Sequence, residues 1–90
     1  MSGYTKGQAY ELGYALAHRI EELCAAASPR DSVAVLRATS SMRLAVEATI
    51  TGGDAAGYEL GNSFARGSVE GYHAATAAIA ARVEGAPVEA

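Results

Sequence analysis

Two short stretches, Ser28-Pro29-Arg30-Asp31 and Thr51-Gly52-Gly53-Asp54, decide how this chain is divided. Proline cannot continue a helix, because it lacks the amide donor and its ring clashes with the preceding turn, but it suits a first helical turn. A glycine pair ends a helix at little steric cost, and Asp54 can accept hydrogen bonds from the free amides of a helix that follows it. Each stretch therefore reads as a stop followed by a fresh start. The segments they separate carry apolar residues at three- and four-residue spacing, with no β-branched alternation of the kind a strand requires. The expectation is an all-α protein, a small bundle of three helices over about 5–27, 30–51 and 54–84. Residues 1–90 form a single helical domain in this reading, with a flexible tail from about 85. The count rises to four helices if the third segment breaks near Gly67, and the bundle is expected to self-associate.

Ninety residues suffice for one core and leave no room for a second domain. Half of them are apolar, but alanine supplies 21, phenylalanine one and tryptophan none. Such a core is thin, which favours helices that approach one another closely. The single cysteine, Cys24, cannot form an internal disulfide, and no charged-then-apolar leader opens the chain, so the expected compartment is a reducing cytoplasm. No run reaches the ~18 continuous apolar residues of a membrane-spanning helix. Net charge is −3, and the middle segment sets Arg30, Arg37 and Arg43 against only Asp31 and Glu47. That surplus falls short of the clustered basic footprint of a nucleic-acid binder. An accessory role on nucleic acid through these arginines is a disfavoured alternative.

In the first segment Ala9, Leu12, Gly13, Leu16, Ile20, Leu23, Cys24 and Ala27 fall on one stripe, the predicted core face. Tyr10, Tyr14 and His18 run four apart along its flank, either as the margin of the core or as a recognition surface. The third segment places Leu60, Gly61, Phe64, Ser68, Gly71, Tyr72 and Ala75 inward, with Glu59, Arg66, Glu70 and His73 opposite. Four glycines, at 57, 61, 67 and 71, interrupt a pattern that is otherwise helical. Each costs a helix interior about 0.8–1 kcal/mol relative to alanine, and close approach of a neighbouring backbone is the gain that would offset it. Gly57, Gly61 and Gly71 are the predicted close-packing positions, and Gly67, nearer the edge of the face, the candidate kink. Tyr10-Glu-Leu-Gly13 recurs as Tyr58-Glu-Leu-Gly61, which suggests that the outer helices present similar faces to the middle one.

Catalytic chemistry finds little support. Glu70-Gly-Tyr-His73 has the Glu-x-x-His step of di-iron carboxylate bundles, but those bundles carry two copies and further glutamates. His18-Arg-Ile-Glu21 reverses the order. A ferritin-like metal-binding oligomer that completes a site between subunits with Glu70 and His73 is one alternative; within the chain no metal site and no cofactor are expected. Cys24 lies on an apolar face, no Gly-x-Ser-x-Gly turn positions a serine, and no glycine-rich phosphate loop follows a strand. The chain is not expected to be an enzyme.

The middle segment is more informative. Val35, Ala38, Met42, Ala45, Val46 and Thr49 make one face, sufficient to dock it on its neighbours. Val33, Leu36 and Leu44 point away from that face and share their side with Arg37, Ser40, Ser41 and Glu47, an apolar stripe with a polar rim. The competing reading is a middle helix buried on two sides. Val33, Leu36, Leu44 and Arg37, with Tyr10 and Tyr14, are the predicted partner-binding residues. The functional expectation is a non-enzymatic protein-interaction module of the cytoplasm, an inhibitor or adaptor that binds a larger protein and pairs with itself. Its alanine-, glycine- and arginine-rich usage suits a bacterium or a phage.

Overall fold

Helix starts follow directly from local chemistry. Thr5 accepts a hydrogen bond through Oγ1 from the Gln8 amide at 3.1 Å, while the Thr5 amide donates to Gln8 Oε1 at 2.9 Å, a reciprocal capping box. Ser28 accepts from the Asp31 amide at 3.2 Å, with Pro29 at the first helical position and Asp31 complementing the helix dipole. The computed structural model describes residues 3–52 and 57–89, and side chains to Arg82 only. It contains α1 (Lys6–Ala26), α2 (Pro29–Thr51) and α3 (Gly57–Glu89), the expected all-α bundle of three helices. Gly52 terminates α2 at φ 65°, a left-handed conformation that glycine adopts without a Cβ penalty, and its amide donates to the Ala48 carbonyl at 3.1 Å. The capping role expected of Asp54 falls on residues 53–56, outside those described. α3 continues to Glu89, past the end near 84 suggested by its apolar spacing.

α1 and α3 run parallel and pack along a seam of small residues. Ala9, Gly13 and Ala17 are buried at four-residue intervals on α1, and Gly67, Gly71 and Ala75 at the same interval on α3. A Cβ built on Gly67 would overlap the Tyr10 carbonyl oxygen and lie 3.1 Å from the Tyr10 Cα. On Gly71 it would overlap the Tyr14 carbonyl in the same way, and on Gly13 it would overlap the Phe64 carbonyl while sitting 3.1 Å from the Ser68 amide nitrogen. The backbones are thus too close for any side chain at these three positions. Interaxial distance shortens where contact residues are small, and the many four-spaced alanines and glycines permit the approach.

This geometry corrects three readings of the glycines. Gly67 is not a kink: α3 passes through it unbroken, so the third segment is a single helix. A Cβ on Gly61 would meet only Thr51 Cγ2 at 3.5 Å, ordinary van der Waals contact, so Gly61 is not where backbones close. Gly71 is such a position, whereas the surroundings of Gly57 lie outside the described residues. The Tyr-Glu-Leu-Gly repeat is not a structural repeat either. Gly13 is buried in the seam and Gly61 is not, and Leu12 is exposed where Leu60 is buried.

α2 docks more sparsely. Thr39 and Ile50 are its buried residues, with Val35 and Val46 half-buried; Ala38, Met42, Ala45 and Thr49 are exposed. The docking face is therefore turned by roughly a quarter of the helical circle, at 100° per residue, from the one the apolar pattern suggests. Thr39 explains the difference. Its hydroxyl donates to the Val35 carbonyl at 2.7 Å and lies 3.2 Å from that of Leu36, so it is satisfied inside the helix and can be buried. The principal core joins Ile50 and Phe64, each 1% exposed, to Ala9 and Leu60, with Leu16 and Val46 packed against it.

Candidate functional site

The turn of α2 leaves one of its flanks facing outward. Val33, Leu36 and Leu44 are 54%, 51% and 58% exposed. Leu36, Ser40 and Arg43 form one wall of an open groove of about 390 Å3; Ala17 and Ile20 of α1 contribute its floor, and Ser68, Val69, Tyr72 and His73 of α3 the far wall. Val69 and Tyr72 are also large, apolar and about half exposed. The apolar surface therefore crosses from α2 to α3 over the groove. Glu21, Arg43 and His73 bring polar groups to it, while Arg37 and Glu47 lie on or beside the same flank of α2, exposed and half-buried respectively.

The other candidate residues are drawn into the α1–α3 seam. The Tyr10 and Tyr14 carbonyls face Gly67 and Gly71; the Tyr10 ring is tilted against Tyr14 at a centroid separation of 6.3 Å, and Tyr14 stacks on His18 at 6.2 Å. The Tyr10 hydroxyl donates to the Glu70 carboxylate. That hydrogen bond, and after it burial, holds the Tyr10 phenol above its ordinary value. The backbones of Tyr10 and Tyr14 thus serve the close approach of α1 and α3, while an open apolar surface lies on α2 and across the groove.

Glu70 is engaged by Tyr10, and the His73 ring lies edge-on to Tyr72 at 5.6 Å. Among the described residues no group of three or more His, Cys, Asp and Glu could hold a metal ion. Arg30 and Arg37 are exposed while Arg43 turns into the groove, so the arginines of α2 do not make one basic stripe. Among the described residues no helix is long and apolar enough to cross a membrane.

The seam glycines Gly13 and Gly67 were not legible as close-packing residues from either helix alone. The signal that could have found them is the pairing of Ala9-x3-Gly13-x3-Ala17 with Gly67-x3-Gly71-x3-Ala75, two small-residue ladders of the same period. No protein-family model, curated protein or solved structure matches the chain.

Proposed function

We propose that this chain is a non-enzymatic protein-interaction module, a small inhibitor or adaptor, that binds through the outer flank of α2 and the adjoining groove. The observation that carries this reading is the exposure by more than half of Val33, Leu36 and Leu44, continued across the groove by Val69 and Tyr72. Scattered exposed leucines are ordinary, but contiguous apolar surface with a polar rim has the anatomy of an interface. Burying the exposed half of each leucine contributes about 1–1.5 kcal/mol, set against the cost of association. Arg37, at the edge of the flank, is placed to orient a partner rather than to supply most of the affinity.

Paired affinity capture from cells of the native source tests this directly, using the wild-type chain and Leu36→Glu/Leu44→Glu. Both positions are exposed and glutamate is a good helix former, so the variant is expected to fold. A protein retained by the wild type in stoichiometric yield and lost with the variant is the expected result. Equal recovery by both chains would remove the α2 flank from the binding surface.

A further inference from the structure

We infer that α2 is a detachable cover, which lifts off as one unit and bares Phe64 and Leu60 while α1 and α3 stay together. The three helices are held unequally. α1 and α3 meet backbone to backbone at Gly13, Gly67 and Gly71. Ala9, Ala17 and Ile20 are buried on α1, and Leu60, Phe64 and Ala75 on α3. Polar links cross the same pair: the Tyr10 hydroxyl donates to Glu70, and Lys6 lies 3.8 Å from Glu59.

α2 has no such ties. Only Thr39 and Ile50 of its 23 residues are buried, and none from Pro29 to Ala38 is. The hydroxyls of Ser32, Thr39, Thr49 and Thr51 all donate to carbonyls of α2 itself. Among the described residues no side-chain hydrogen bond or ion pair joins α2 to α1 or to α3. Open space borders the helix as well. Besides the groove of about 390 Å3 toward α3, one of about 430 Å3 touches Ser32, Cys24 and Ile79, and one of about 360 Å3 touches Met42, Val46 and Leu12. Attachment therefore comes down to Ile50 and the half-buried Val46, packed with Phe64, Leu60 and Ala9, and to Thr39 and Val35 further along.

Proteins open in cooperative units, and a unit with few buried apolar contacts opens at lower free energy than the whole. Lifting α2 gives up one fully buried large side chain and a few partly buried ones. Separating α1 from α3 gives up the seam in addition. Opening at α2 is thus the easier event, and it exposes the apolar surface of the α1–α3 pair that Ile50 covers in the docked state.

Native-state amide hydrogen exchange of the full chain, resolved by NMR, tests this. Amides from Thr39 to Val46, in mid-helix and clear of end fraying, should share one opening. Relative to their unfolded rates they should exchange at least about tenfold faster than the amides of Ala17, Gly71 and Ala75. Two mild substitutions separate this opening from global unfolding. Ala65 is exposed on α3, which stays helical whether or not α2 is docked, so Ala65→Gly should speed the seam amides about four- to fivefold and leave the α2 amides unchanged. Ile50→Val weakens the docked state alone and should speed the α2 amides about two- to tenfold. Equal protection of α2 and the seam in the wild type overturns the inference, because the bundle then opens as a whole. Acceleration of the α2 amides by Ala65→Gly to the same degree as the seam amides overturns it too. So does α2 exchange indifferent to Ile50→Val, which would mean that the helix melts locally without leaving the core.

Discussion

The Tyr10 carbonyl fills the space that a side chain on Gly67 would need, and the Tyr10 hydroxyl donates to Glu70 one turn further along α3. One residue of α1 thus sets both the distance to α3, through its backbone, and the register, through its side chain. Gly71 against Tyr14 and Gly13 against Phe64 repeat the close approach. The helical cost of the glycines is the condition for two parallel backbones to meet, and that pairing supports α2 from below.

Gly67→Ala should therefore destabilise the protein even though alanine is the better helix former. The propensity gain is about 1 kcal/mol, but the obstructing atoms are backbone and cannot rotate away. With an overpacking cost at or above the upper end of about 1–3 kcal/mol, a net loss of about 2 kcal/mol is expected in urea denaturation, and Gly71→Ala should behave alike. A neutral outcome at both positions would mean that the seam is looser than described.

Gly61→Ala should have the opposite sign. Its added methyl would meet only Thr51 Cγ2 at 3.5 Å, so the gain in helix propensity and the reduced freedom of the unfolded chain should dominate. Stabilisation by about 0.5–1 kcal/mol is expected. A loss of stability at this position would place a close contact where none is found.

These opposite signs show what was legible in the sequence. The two stops and the three-helix architecture could be read, because Pro29 and Gly52 act on backbone geometry that no tertiary contact has to supply. Which glycines close on a neighbour could not be read from α3 by itself. Spacing within one helix defines a face, but the register against α1 selects Gly67 and Gly71 over Gly61. The docking face of α2 was misjudged for a related reason: its apolar residues are small and spread around the helix, so several orientations are nearly equivalent until Thr39 and Ile50 find the α1–α3 pair.

Phe64 is the largest of the fully buried side chains among the described residues and sits in the principal core. Phe64→Ala should cost about 3–5 kcal/mol through lost transfer energy and the cavity left behind. In a domain whose total stability is about 5–15 kcal/mol, that loss removes a large fraction of the margin, and thermal melting followed by circular dichroism should show it. A decrease below about 1 kcal/mol would indicate that the site collapses around the gap.

Alkaline pH should weaken the Tyr10–Glu70 link. The Tyr10 phenol is raised in the folded chain, first by the Glu70 hydrogen bond, so the folded state holds this proton more tightly than the unfolded state. Its contribution is fully present below the ordinary phenol value of 10.0 and is lost as pH rises through the higher folded value. Wild-type stability should accordingly fall more steeply above pH 10.0 than that of Tyr10→Phe. Parallel curves for the two proteins would show that the bond is not maintained in solution.

The most direct test of the central claim, that the outer flank of α2 is an interface and not core, is the urea midpoint of Leu36→Glu/Leu44→Glu against that of the wild type. Both leucines are more than half exposed, so the double variant should fold with a midpoint close to the wild-type value. A double variant that fails to fold, or whose midpoint falls as far as that of Phe64→Ala, would place these leucines in the core and contradict the claim.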